Sequence, residues 1–178
     1  MAEARPPQRI VLVGFMGSGK STVGAVLAHD IGWGFRDLDR WIEDRHGLTV
    51  AEIFRRHGEP FFREEERRAA RAAARLRRHV IAAGGGAFAA DATRALLQRG
   101  SVTVWLRCGE AALWRRLPKD GSRPLAADRG TMHRLLAERL PSYRLADHAV
   151  DASRAGPEQV ARRIAEVVFA TRRTAKGR

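Results

Sequence analysis

The sequence predicts a three-layer α/β domain built on a parallel sheet, from three observations. Short apolar, β-branched runs alternate with stretches of helical period along the chain, as strand–helix–strand units require. The first run is joined to the first helix by a glycine-rich phosphate-loop pattern. At 178 residues the chain has the size of one domain with one substantial core, and neither a repeat nor an interdomain linker interrupts residues 1–178.

The organising stretch is Gly14-Phe15-Met16-Gly17-Ser18-Gly19-Lys20-Ser21-Thr22, which meets GxxxxGK[ST] at every fixed position. Before it, Arg9-Ile10-Val11-Leu12-Val13 reads as a buried strand. After it, Val23, Val26, Leu27 and Ile31 fall on one helical face. In that context the backbone N–H groups of Gly17, Ser18, Gly19, Lys20, Ser21 and Thr22 converge on phosphate oxygens at a helix N-terminus. Lys20 is expected to reach the β/γ-phosphates, and the Ser21 hydroxyl to take one position on Mg²⁺. The chain writes its positive charge as thirty arginines against three lysines, so a lysine kept at position 20 fits the need for a point charge on phosphate. ATP and Mg²⁺ are the cofactors this implies.

Gly32 is a stop signal, and Trp33 to Asp37 reads as a short second strand ending in Asp37-Leu38-Asp39. If the extended conformation persists, Asp37 and Asp39 share a side at the strand's carboxyl end, where open α/β sheets bind ligands. A cation or hydroxyl donor would relieve their repulsion; a helix cap before Trp41 would account for Asp39 alone. Thr49 to Glu52 is a capping box opening a helix toward Gly58, and Pro60 suits the first turn of another, running to about Leu76. Val80 to Ala83 is a third strand, ending in Gly84-Gly85-Gly86. Three consecutive glycines cost backbone entropy and point to close approach by a ligand. Asp91 can cap the helix carrying Leu96 and Leu97, Ser101 to Leu106 is a fourth strand, and Gly109 to Leu117 a helix.

Pro118 to Gly130 has neither period and reads as a mobile lid. Met132 to about Tyr143 is helical, His148 to Asp151 is a fifth strand, and Gly156-Pro157 opens a final amphipathic helix through Val160, Ile164, Val167 and Val168. The basic stretch 171–178 is expected to fray.

No run approaches the roughly 18 apolar residues of a membrane span, and the first seven residues lack the apolar core of a secretory signal. The single cysteine, Cys108, fits a reducing cytoplasm and reads as a small packing residue. A net charge of +13 raises the question of nucleic acid. Yet the arginine-rich stretch Arg63 to Arg78 contains no aromatic residue, so no stacking platform is interleaved there, and a solvated helical face is the reading preferred.

Taken together, GFMGSGKST, the DLD after the second strand, FFREEE, the GGG after the third, RPLA in the lid and ERLPSYRLAD resemble shikimate kinase from Arg9 to Phe169. The resemblance implies a phosphate-loop NTPase fold of the nucleoside monophosphate kinase type, with strand order 2-3-1-4-5 and a lid. It implies transfer of the ATP γ-phosphoryl to the 3-hydroxyl of shikimate, on the route to chorismate and aromatic amino acids, by a cytoplasmic monomer. By resemblance, Arg63 and Arg139 clamp the shikimate carboxylate, and Asp39 holds the ring hydroxyls as candidate acceptor of the attacking proton. Backbone around Gly84, Gly85 and Gly86 approaches the substrate, Arg123 swings over the transferring phosphate, and Asp37 contacts Mg²⁺ through water. Arg116 matches an arginine that holds adenine, and Glu66 is spaced to orient Arg63. The family usually reads RPLL where this chain has RPLA, and Arg154 is offset by one residue from an arginine some members carry. A gluconate kinase shares the phosphate loop and fold and is the nearest rival; a nucleotide-dependent, nucleic-acid-associated protein is the rival from another class.

Overall fold

The computed structural model describes residues 7–118 and 128–170. Strands β1 (Arg9–Val13), β2 (Gly34–Asp37), β3 (His79–Ala82), β4 (Ser101–Arg107) and β5 (His148–Asp151) form one sheet. Their order is β2-β3-β1-β4-β5, and every neighbouring pair is parallel. Between and after them run α1 (Lys20–Asp30), α2 (Leu38–His46), α3 (Val50–Ala73), α4 (Asp91–Gln98), α5 (Glu110–Arg116), α6 (Arg129–Tyr143) and α7 (Pro157–Ala170). The expected order and sense of the sheet are what is found.

All residues of β1 are buried, as a central parallel strand covered on both faces must be. Its alternation sorts the two cores. Ile10 and Leu12 pack with Val23 and Leu27 of α1 and Val160 and Ile164 of α7. Val11 and Val13 face the other layer, with Ile42 of α2, Ile53 and Phe62 of α3, Leu97 of α4, and Met132 and Tyr143 of α6. The strands' carboxyl ends share one edge, so the phosphate loop after β1, Asp37 at the end of β2 and the triple glycine after β3 are neighbours.

Side-chain caps explain where α2 and α3 begin. Asp37, with extended backbone, caps α2 by accepting from Asp39 N at 3.0 Å and Arg40 N at 3.3 Å. Thr49 and Glu52 form the expected capping box on α3. Within α3, Gly58 adopts φ 80°, ψ 172°, a break that lets Pro60 start a fresh helical turn. The two helices expected there are therefore two segments of one bent element, ending at Ala73.

Four local expectations need correction. Asp37 and Asp39 do not sit on one extended strand: the helix starts at Leu38, and Asp37, not Asp39, is its cap. Asp91 is not the cap of α4; Ala90 holds that position and Asp91 lies in the first turn, paired with Arg94 at 2.7 Å. Trp33 precedes β2, its N–H closing the turn onto Ala28 O at 2.8 Å. Arg129 and Gly130, read as lid, belong to α6, which Asp128 caps through Thr131 N at 2.8 Å. The remainder of the expected lid, 119–127 with Arg123, and the basic stretch 171–178 lie outside the described residues. Among the described residues, no helix is long and apolar enough to cross a membrane.

Candidate active site

A cavity of about 220 Å³ opens at the carboxyl edge of the sheet. The phosphate loop lines one side of it through Gly17, Gly19, Lys20, Ser21 and Thr22. Asp39, Arg63, Gly85, Gly86 and Arg139 line the other. Nucleotide-binding and acceptor-binding candidates thus share one cavity, although 120 positions separate Gly19 from Arg139.

The phosphate loop has the backbone its ligand chemistry needs. Gly17 and Gly19 adopt φ 80° and 93°, a region costly for residues with a Cβ. Gly19 is the cap residue of α1 and supplies no side-chain partner to the helix's first N–H groups, so these are available to an anion. The Lys20 ammonium curls over the loop, donating to Gly14 O at 2.9 Å and Phe15 O at 3.0 Å. The Ser21 hydroxyl donates to the Asp37 carboxylate. These two hard oxygen donors at the loop's edge suit Mg²⁺. No cluster of three His, Cys, Asp or Glu that could hold a metal occurs among the described residues, so such an ion would depend on ligand phosphates and water.

On the acceptor side, α3 presents Arg63 and Glu66. Arg63 Nη1 donates to Glu66 Oε2 at 2.6 Å, while Nε and Nη2 donate to Glu59 Oε1 at 3.0 and 2.6 Å. Burial works against the guanidinium's charge, but Glu66 and Glu59 outweigh it and hold the Arg63 pKa above its ordinary value. Glu66 is itself buried; desolvation pushes its carboxyl up to about 7 against the pull of Arg63. Arg139 is 4% exposed, with its guanidinium carbon 5.8 Å from the Phe15 ring centroid. Two arginines and two carboxylates, those of Asp39 and Glu66, therefore meet a partly apolar wall made by Val50, Phe54 and Phe62. That set fits a small polyol bearing a carboxylate.

The triple glycine does a different job at each position. None of the three has positive φ, so close packing is the reason for them. A Cβ on Gly84 would stand 2.6 Å from Asp39 Oδ1 and 2.8 Å from Glu66 Oε1; one on Gly85, 3.1 Å from Arg139 Nη1; one on Gly86 would run into the Arg63 guanidinium. Gly84 is buried, and Gly85 and Gly86 take the places at the cavity's lining. Gly84 makes room for the carboxylates that do the lining.

The shikimate kinase family model matches residues 16–169. The chain belongs to the shikimate kinase family. It is 45% identical over 166 residues to the shikimate kinase of Moorella thermoacetica, covering 92% of this chain and 96% of that one. It is 41% identical over 168 residues to that of Cereibacter sphaeroides, covering 93% and 84%. Its structure is similar to shikimate kinase from Acinetobacter baumannii in complex with shikimate, with a TM-score of 0.90 and 31% identity over 94% of this chain and 96% of that one. A gluconokinase from Sinorhizobium meliloti, at TM-score 0.53 and 21% identity, shares the fold.

Of the remaining expected residues, Arg116 falls beside this centre and Arg123 lies outside the described residues. Arg116 stands outside the cavity's lining, next to the phosphate loop: it donates to Ser153 O at 3.0 Å and Cys108 Sγ at 3.4 Å, and a Cβ on Gly17 would lie 3.6 Å from its own. Cys108 is half-buried, and desolvation pushes its thiol pKa up. Along the arginine-rich part of α3, Arg67 pairs with Glu64, and Arg68 with Glu65 at 2.7 Å, so part of that charge is compensated within the helix. Sequence reasoning missed the apolar wall and the role of Tyr143, whose hydroxyl donates to Gly85 O at 2.6 Å. The i,i+4 spacing of Val50 and Phe54 was a signal for the first; no local signal existed for the second.

Proposed function

We propose that this kinase transfers the γ-phosphoryl of ATP to the 3-hydroxyl of shikimate within this one cavity, with the roles below, on the route to chorismate and aromatic amino acids. The observation that carries the reading is the shared lining: a phosphate loop shares one space, suited to one small acceptor, with Arg63, Arg139, Asp39 and Glu66.

Arg63 and Arg139 take the acceptor carboxylate, with Glu66 holding the Arg63 fork in plane. Asp39 binds the ring hydroxyls, orients the attacking one and accepts its proton. Gly85 and Gly86 let backbone close on the ring. The N–H groups of residues 17–22 and the Lys20 ammonium hold the nucleotide phosphates, Lys20 exchanging the carbonyls of Gly14 and Phe15 for phosphate oxygens. Arg116 flanks the nucleotide's base, and Arg123 adds charge over the transferring group. Ser21 would ligate Mg²⁺ directly and Asp37 through water; the ion neutralises phosphate charge when bound. A cytoplasmic monomer fits the unpaired Cys108, and size-exclusion chromatography with light scattering tests the oligomeric state.

The decisive assay measures ADP release from Mg²⁺-ATP with shikimate, gluconate or no acceptor, for wild type and Asp39→Asn. Turnover with shikimate, reduced about 10²- to 10⁴-fold by Asp39→Asn, is the expected result. Turnover with gluconate alone would overturn the acceptor assignment. ATP binding without acceptor-dependent turnover would overturn the proposed reaction.

A further inference from the structure

Tyr143 is buried at 1% exposure and does not line the cavity. Its contact is nevertheless placed where the two halves of the site meet. A Cβ on Gly85 would lie 3.1 Å from Arg139 Nη1, 3.4 Å from Met16 N and 3.6 Å from Gly14 O. The Gly85 peptide is thus pressed between the acceptor-side arginine and the start of the phosphate loop. Three successive glycines have no side chains to fix their peptide planes, and β3 has already ended at Ala82. Hydrogen bonds must do that work. The Gly84 carbonyl accepts from Ala87 N at 3.1 Å and the Gly86 carbonyl from Ala89 N at 3.0 Å, both within the local turn. The Gly85 carbonyl is held instead by the Tyr143 hydroxyl at 2.6 Å, 58 residues further along the chain.

Tyr143 and Arg139 stand one turn apart on α6, so one helical face sends a guanidinium into the cavity and a phenol to the glycine backbone. The phenol ring is braced by Trp105 of β4, with centroids 6.1 Å apart. Burial pushes its hydroxyl up to about 12, which keeps it a donor throughout the physiological range. We propose that Tyr143 is a positioning residue. By locking the Gly85 peptide against Arg139, it sets the acceptor hydroxyl, rather than water, in line with the γ-phosphoryl. This rests on the reading that Arg139 and Gly85 hold the acceptor.

The test is Tyr143→Phe in the full chain, which keeps the ring and removes only the hydroxyl. The readout is ADP released per shikimate 3-phosphate formed, together with kcat and both KM values. The expected result is a kcat lower by about 10- to 100-fold, an unchanged KM for ATP, and an ADP-to-product ratio several-fold above wild type. In that case the γ-phosphoryl passes increasingly to water and leaves as inorganic phosphate. A ratio equal to wild type, even with a lowered melting temperature, would overturn the proposal and leave Tyr143 a packing residue.

Replacing Tyr143 with a polyfluorinated tyrosine covers the case in which Tyr143→Phe fails to fold. Its phenol is more acidic, so the donor is lost as pH rises while the packing is kept. The groups facing it are Arg139 on α6 and Arg63 and Glu66 on α3. The arginines stay charged, and the wild-type profile subtracts the titration of Glu66. A ratio that climbs with pH beyond wild type supports positioning, and a profile parallel to wild type overturns it. Absence of shikimate phosphorylation in wild type would instead remove the proposed reaction itself.

Discussion

Glu66 and Asp39 converge on the buried Cα of Gly84: a side chain there would stand 2.8 Å from Glu66 Oε1 and 2.6 Å from Asp39 Oδ1. The two carboxylates come from different helices, and Asp39 raises the cost of charge on Glu66. Arg63 and Arg139 supply the compensating charge. The missing Cβ of Gly84 is what lets both carboxylates reach this point.

Gly84→Ala should therefore disable the site more than the fold. Both carboxylate ends must retreat from the new methyl, and displacing a reacting group by an ångström costs on the order of 10² in rate. We expect kcat/KM for shikimate to fall about 100-fold or more. Stability should drop by about 1–3 kcal/mol, the usual cost of overpacking. Steady-state kinetics beside a thermal melt separates the two effects. Wild-type kinetics in Gly84→Ala would mean that neither carboxylate position matters.

Glu66 makes the molecule sensitive to pH. Its folded pKa of about 7 lies above the 4.5 of the exposed group, so between those values the folded state keeps a proton that the unfolded chain has released. Stability is then full below about pH 4.5 and declines as pH rises through 7, by at most about 3 kcal/mol. Glu66→Gln removes this slope. The ionised carboxylate, itself at the cavity's lining, also repels the acceptor carboxylate, so the KM for shikimate should rise several-fold from pH 6 to 8 in wild type and stay flatter in Glu66→Gln. Parallel melting and KM profiles in the two proteins would rule out Glu66 as the titrating group.

What could be read from the sequence was what neighbouring residues decide. The phosphate loop is contiguous, the Arg63–Glu66 pair is one helical turn, and the break near Pro60 announces itself by residue type. Arg139 could be assigned only through resemblance, since an arginine among thirty carries no local mark. The convergence of Glu66 and Asp39 on Gly84 and the grip of Tyr143 on Gly85 depend on how α3 and α6 dock against the sheet edge, and no local period encodes that. Alternation misled at Asp37 and Asp39 because Asp37, as a cap, starts a helix where a strand was extrapolated.

The capping box provides a control away from the charged clamp. Thr49 Oγ1 accepts from Glu52 N at 3.2 Å, and Glu52 Oε2 accepts from Thr49 N at 2.8 Å. Thr49→Ala leaves the first turn of α3 without its cap and should cost about 1 kcal/mol. For a chain of this size that lowers the melting temperature by about 2–4 °C. The KM for shikimate should rise only slightly, through Val50 and Phe54 at the cavity wall, because the clamp residue Arg63 lies beyond the break at Gly58. A KM raised as far as by loss of a clamp arginine would mean that the two segments of α3 transmit strain across the bend.

Arg139→Lys asks whether the clamp needs a fork or only a charge. The guanidinium is buried beside the Phe15 ring, packed against Gly85, and lines the cavity. An ammonium on a flexible stem keeps the charge but offers no bidentate face and is more strongly hydrated, so burial costs it more. We expect the KM for shikimate to rise about 10- to 100-fold, equivalent to about 1.4–2.8 kcal/mol of lost binding, with the KM for ATP within twofold of wild type. Isothermal titration with shikimate alone checks the same loss without turnover. If both KM values rise together, Arg139 supports the whole cavity and not the acceptor carboxylate, and the clamp would then rest on Arg63.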